Sequence, residues 1–375
     1  MMKILLCSPF YPDKENTTCG IANWTRNIMS RQSQDSEYQI DLLPFDRTVD
    51  LDEESTYWER ITSGIKDYIG LVLKVKKRLK NGQYDVIQVS TSAGLGFIRD
   101  YLIAKIAQRT GVKSVFHYHF GRMPEVLECS NWESKLLYKI LKISYASIVM
   151  DKQSFEALKS RRYKVDYLPN PLSEKNFQIV NKLSENTTRQ QNKLLFVGHV
   201  VSTKGVFELV EATTNIKNVE VKIVGKVFPE TKQQLQEIAQ KRDSGTWLSF
   251  IGEIPHDDVL KEMLECEMFV LPTYTEGFPN VILEAMACSC PIITCSVGAI
   301  PEMLDSETDN PCGIVIEPKN AAMLEDSIRL LQNDVEKKNH LGVRARKKIV
   351  DNYTVDAVWK QLESIWQSYI ASDKN

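Results

Sequence analysis

Two unbroken apolar runs, Met268 to Leu271 and Pro291 to Thr294, stand one helix-length apart, with TYTEGFPNVILEAMACSC between them. An apolar run that does not alternate reads as a strand buried on both faces, as in a parallel sheet covered by helices. The stretch is therefore a strand, loop, helix, strand unit, with its helix from about Pro279 to Cys288. Proline fits the first helical turn because the amide it lacks would have no partner there. The first amides and the positive end of the helix dipole, roughly half a unit charge, point back at the loop and form a pocket for an anion.

Two acids flank that pocket. Glu276 precedes the helix start, where a carboxylate can reach a ligand, and Glu284 lies further along, inside the helix. A buried carboxylate needs donors, and sugar hydroxyls are suitable ones. An anion site between two acids suggests a ligand with both phosphates and hydroxyls, although a solvated helix face can carry the same pair.

Similar units recur along the chain. Strands are expected at Lys3 to Cys7, Gln39 to Leu43, Val86 to Val89, Ser114 to His117, Ala146 to Met150 and Tyr163 to Leu168, with helices between them. This is the pattern of a doubly wound α/β sheet. Pro169-Asn-Pro171 then breaks the chain, and the polar run SENTTRQQN marks a linker over 171–192. Strands resume at Lys193 to Val197, Glu220 to Val224 and Leu248 to Gly252. The expected domains are 1–170 and 193–353, and the final helix, about Thr354 to Tyr369, has an apolar stripe of Trp359, Leu362, Ile365, Trp366 and Tyr369 that reads as packing.

Three further places can carry chemistry. After the strand at Lys193, the segment Gly198-His-Val-Val-Ser-Thr-Lys204-Gly205 is a glycine loop with a lysine near a helix mouth, a phosphate site in which amides orient the oxygens and the ammonium neutralises charge. Gly20 at an early helix mouth would let backbone approach a ligand, and equally fits a plain turn. His117 and His119 close the fourth strand, where a histidine is either a satisfied core residue or a site group.

Composition narrows the partners. The formal charge is −2, so nothing global argues for nucleic acid, and the 43% hydrophobic and 26% charged content is that of a globular protein. Residues 1–175 hold 26 Lys+Arg against 21 Asp+Glu, leaving the remainder acidic. Within the basic half, Ile65 to Leu79 is amphipathic, and Lys74, Lys76, Lys77, Arg78 and Lys80 give it a face that is either merely solvated or suited to anionic lipid headgroups. The eight cysteines have no CxxC spacing and read as reduced thiols, with a Cys288, Cys290, Cys295 metal cluster disfavoured for want of a neighbouring histidine. Asp50-Leu-Asp52 has an Asp-x-Asp metal spacing, but sits in an acidic run that explains it by chance. The opening MMKILLCSPFYPD is too short to be a signal or a membrane span, so the expected location is cytoplasmic, at most on the inner membrane face.

Pro272, the EGFPN loop, the LEAMA helix, the strand at Pro291 and Ser296-Val-Gly-Ala-Ile-Pro-Glu302 together resemble the signature of retaining glycosyltransferases of family 4, the group 1 glycosyl transferases. That resemblance implies a GT-B fold, two Rossmann-like domains facing a central cleft, and transfer of a sugar from a nucleotide diphosphate sugar to an acceptor hydroxyl without a metal or other cofactor. It implies donor binding by Gly20, His199, Lys204, Glu276, Gly277, Phe278, Pro279, Asn280 and Glu284, with Lys204 at the diphosphate, Glu276 on the donor sugar and Glu284 on the ribose. His119 would hold the sugar near the reacting carbon, and the last helix would cross back to the first domain. Bacterial cell-surface polysaccharide or lipid-linked glycan assembly is the implied setting. Two positions depart from the pattern: Cys19 replaces the first glycine of a usual pair, and His199 replaces an arginine, giving fewer hydrogen bonds and only partial charge. A GT-B nucleotide-sugar epimerase or hydrolase would use the same cleft, and a non-catalytic nucleotide-sugar binder would keep the fold while losing the acids.

Overall fold

The computed structural model describes residues 1–11, 20–32, 38–45 and 57–371, the side chains of 57–66 and 371 aside. Cys19 and Asp50-Leu-Asp52 lie outside the described residues. The chain divides into two compact units, Met1–Asn170 with the chain from Val358 onward, and Pro171–Ala357.

The first unit is built on β1 (Met2–Ser8), β2 (Tyr38–Pro44), β3 (Val86–Thr91), β4 (Lys113–Tyr118), β5 (Ala146–Val149) and β6 (Val165–Tyr167), paired in parallel in the order β2-β1-β3-β4-β5-β6. Along β1, Leu5 and Cys7 enter one core and Ile4 and Leu6 the other, which is why the strand is apolar throughout. On one face lie Leu71, Val75 and Leu79 of the helix Tyr57–Asn81 and Phe97 and Ile103 of the helix Gly96–Thr110. On the other lie Trp24 and Ile28 of the helix Gly20–Gln32, together with Trp359, Leu362, Trp366 and Tyr369 of the helix Val355–Ala371.

That last helix is fixed by more than area. Trp366 donates its indole N–H to Gln88 Oε1 at 2.9 Å, and the Tyr369 hydroxyl donates to Asp166 Oδ2 at 2.7 Å. A buried tryptophan truncated to alanine costs about 3–5 kcal/mol, so the apolar stripe anchors the C-terminal chain on this sheet.

The second unit is built on β7 (Lys193–Val197), β8 (Glu220–Val224), β9 (Leu248–Gly252), β10 (Met268–Leu271), β11 (Ile292–Cys295) and β12 (Ile314–Ile316), all parallel, in the order β12-β11-β10-β7-β8-β9. This is the order of a dinucleotide-binding sheet, and the chain reverses its direction of travel between β7 and β10. Ligands of such sheets sit outside the carboxyl ends of the strands at that reversal.

The structure differs from the sequence reading in local ways. The polar stretch expected to be a linker folds as the helix Glu174–Ser184, because Phe177, Val180 and Leu183 fall at helical spacing and Val180 is fully buried. The basic helix begins at Tyr57 rather than near Ile65. β12, three residues long, gave too short a run to stand out. Pro279 is extended (φ −74°, ψ 115°) and precedes the helix Asn280–Ala287 rather than occupying its first turn. Among the described residues no helix is long and apolar enough to cross a membrane.

Candidate functional site

At the carboxyl end of β7 the chain runs through Gly198 and exposed His199 into a short 3₁₀ turn, Ser202–Lys204, then Gly205 and the helix Val206–Thr214. Gly205 has φ +69°, and a Cβ there would stand 1.8 Å from the Pro272 carbonyl oxygen, so only glycine lets this turn lie against the end of β10. Tyr274 N–H donates to Thr203 O at 2.9 Å and the Thr273 hydroxyl to the same oxygen at 3.3 Å. The two loops at the sheet's reversal are thereby held together.

This backbone contact brings Lys204 and Glu276 together. Lys204 Nζ donates to Glu276 Oε1 in an ion pair whose side chains are 27% and 14% exposed, both open enough to reach a ligand and sheltered enough for the charge to matter. A third loop supports the acid: Gly298, with φ +53°, would put a Cβ 2.2 Å from the Glu276 carbonyl oxygen, and Ala299 N–H donates to Gly277 O at 2.9 Å. Phe278 is buried against Tyr353, ring centroids 5.8 Å apart, which fixes the entry into the helix Asn280–Ala287.

Glu284 sits one turn inside that helix and is 9% exposed. Its Oε1 is 3.2 Å from Asn176 Nδ2 and 3.2 Å from His256 Nε2. The hydrogen bond to Glu284 pushes the His256 pKa up, against burial acting downwards. Neither Asn176 nor His256 was marked by any pattern in the sequence, since each acts through a carboxylate far along the chain.

His119 and Gly20 belong to the first unit. Gly20 opens the helix Gly20–Gln32. His117 is fully buried at the end of β4 and His119 follows it, partly exposed, with ring centroids 3.9 Å apart and the Trp24 ring edge-on to both at 4.8 and 5.4 Å. Both nitrogens of His117, Nε2 of His119 and Nε1 of Trp24 are buried, with no hydrogen-bond partner among the described residues. Burial lowers both imidazole pKa values, that of His119 to about 3, so both rings are neutral. Beside them Ser8, at the end of β1, hydrogen-bonds Thr25 at 2.6 Å and Ser90 at 2.8 Å.

The cysteines of the second unit are free thiols whose hydrogen bonds are mostly to backbone carbonyls, as Cys290 Sγ is to Met263 O at 2.9 Å. Among the described residues no three His, Cys, Asp or Glu side chains are grouped to hold a metal ion.

Two six-stranded parallel sheets with helices on their faces, the second in dinucleotide-binding order, make this a GT-B protein of two Rossmann-like units. Solved structures share the fold: sucrose-phosphate synthase from Thermosynechococcus elongatus superposes with TM-score 0.73 at 17% identity over 99% of this chain and 100% of that one. HepE of Anabaena in complex with UDP gives TM-score 0.71 at 16% identity over 98% and 100%. Residues 179–348 match the family described as Glycosyl transferases group 1. CapM of Staphylococcus aureus, a capsular polysaccharide biosynthesis glycosyltransferase, is 28% identical over 217 residues, 54% of this chain and 53% of CapM. The MMP alpha-(1->4)-mannosyltransferase of Mycolicibacterium hassiacum is 23% identical over 86% of this chain and 80% of its own. The match spans about half the length of CapM, and likewise 51% of TuaC of Bacillus subtilis.

Proposed function

We propose that this protein transfers a sugar from a nucleoside diphosphate sugar to an acceptor hydroxyl, with the anomeric configuration retained, in the assembly of a bacterial surface polysaccharide. The observation that carries the reading is the Lys204–Glu276 pair at the point where the second sheet reverses its strand order. A dinucleotide-binding sheet places a ligand there, and the two side chains supply a cation for phosphate and an acceptor for sugar hydroxyls. HepE, with the same fold, is known in complex with UDP, and the name of CapM gives the polysaccharide setting.

The barrier lies in the leaving group, whose negative charge grows as the glycosidic bond breaks. Donors already aimed at that charge lower the barrier by a few kcal/mol each. Lys204 and the amides opening the helix at Asn280 are such donors, with Gly277, Phe278 and Pro279 shaping the loop before it and His199 exposed nearby in sequence. Glu276 accepts from the donor sugar and Glu284 from the ribose. The departing phosphate takes the acceptor proton, and no divalent cation is required.

A panel of UDP-, GDP- and ADP-sugars tests this by thermal stabilisation, since a ligand at about 100 times its Kd adds roughly 2.7 kcal/mol. One class of donor should stabilise the parent and lose most of that effect in folded Lys204→Ala and Glu276→Ala variants. If no donor stabilises the parent, or the variants respond as the parent does, the reading fails.

The acceptor side has its own observation. On the helix Tyr57–Asn81, Ile69 and Leu73 are 54% and 59% exposed and share a face with Lys76, Lys77 and Lys80, while Lys74 and Arg78 are exposed beside them. Apolar side chains framed by cations fit an anionic bilayer, where a lipid-linked acceptor would be met. Co-sedimentation with phosphatidylglycerol vesicles, absent with phosphatidylcholine and weakened by salt and by Leu73→Asp, is the expected result; equal recovery from both lipids refutes it.

A further inference from the structure

Asn176 Nδ2, His256 Nε2 and Glu284 Oε1 form a triangle with sides of 3.0, 3.2 and 3.2 Å. A carboxylate only accepts, and the Asn176 amide nitrogen only donates. If His256 Nε2 were unprotonated, its lone pair would face the carboxylate oxygen at hydrogen-bond distance with nothing between them. The direction of the 3.0 Å contact between Asn176 Nδ2 and His256 Nε2 follows the imidazole tautomer; a proton on Nε2 turns its contact with the Glu284 oxygen into a hydrogen bond, and two N–H groups then converge on Oε1. Both donors then go to Oε1, and among the described residues Oε2 has no protein partner and is not shut away from solvent.

The three residues come from separate elements: the helix Glu174–Ser184, the first residue of the helix His256–Glu265, and the helix Asn280–Ala287. None lies at the carboxyl end of β7 or β10, where the phosphate-facing pair is. A carboxylate 9% exposed would otherwise rotate about its side chain to find solvent donors on either oxygen. Clamping one oxygen fixes the plane of the carboxylate and the direction of the other.

Resting on the reading above, in which Glu284 meets the ribose, we propose that Asn176 and His256 are positioning residues that pin Oε1 of Glu284 and thereby aim Oε2 at the vicinal 2′- and 3′-hydroxyls of the nucleotide. The clamp serves the diol and not the diphosphate, because Lys204 and the helix start serve the latter. It also makes the site selective for ribonucleotides: a ligand without those hydroxyls leaves Oε2 unanswered.

Calorimetric titration of the full-length protein with UDP and with 2′,3′-dideoxy-UDP separates this from a general structural role. Losing one hydrogen bond to a charged group should weaken UDP binding about tenfold in His256→Ala and in Asn176→Ala. The dideoxy ligand should bind the parent and both variants alike, and His256→Gln, which keeps an N–H, should recover most of the loss for UDP. A variant that loses affinity for both ligands equally, or for neither, overturns the clamp. Should UDP, GDP and ADP all fail to bind the parent, it is the donor-binding reading itself that falls, a result distinct from parent binding with variants unaffected.

Discussion

Replacing Gly205 by alanine tests whether the close approach of two loops creates the site. The φ of +69° is a left-handed conformation that costs a non-glycine residue about 1 kcal/mol or more. The added Cβ would also meet Pro272 O at 1.8 Å and Pro272 C at 2.6 Å, backbone atoms that cannot rotate away. Ordinary contact begins near 3.4 Å, so the turn must move from the end of β10 by more than an ångström. Overpacking of this kind costs about 1–3 kcal/mol. Together the two effects come to about 3 kcal/mol, which for a unit of this size lowers the melting temperature by roughly 6–12 °C. The same displacement carries Lys204 off Glu276, and a misplacement of about 1 Å costs roughly a hundredfold in rate. Differential scanning calorimetry, with donor turnover measured well below the transition, reads both. An alanine variant that melts within a degree or two of the parent and turns over donor normally would show that the contact does not position Lys204.

Other predictions follow from single groups. Arg189 donates to Cys266 O at 2.7 Å and Cys288 O at 2.6 Å, so Arg189→Met leaves two carbonyls without their donor and should lower stability by about 2–4 kcal/mol in urea titrations. With His119 held at about 3 and His117 also lowered, the unfolded chain binds more protons below pH 6.5; this contribution to stability is whole above that pH and drains away as pH falls towards 3. The slope of stability against pH between about 6.5 and 4 should therefore flatten in His117→Gln/His119→Gln. Gly298→Ala, whose Cβ would lie 2.2 Å from Glu276 O, should weaken donor binding by tenfold or more, with a smaller fall in melting temperature than Gly205→Ala. Turnover should persist in EDTA, and its loss would make a divalent cation part of the reaction.

Much of this molecule was legible in one dimension. Strands buried on both faces announce themselves as unbroken apolar runs, and a helix packed on a sheet leaves a stripe such as Trp359, Leu362, Trp366 and Tyr369, because burial acts on each side chain locally. The loop and helix from Glu276 to Glu284 were likewise visible, since turn chemistry and helix polarity are properties of neighbouring residues. The strand order was another matter: β7 and β10 are separated in sequence by two intervening strands, and their adjacency follows from how the whole sheet packs. Lys204 could be marked as a phosphate ligand, but its pairing with Glu276, and the need for glycine at 205 and 298, arise where backbones distant in sequence touch. Asn176 and His256 gave no signal at all, for their meaning lies in a shared carboxylate oxygen, and only the tertiary fold brings three helices to one atom.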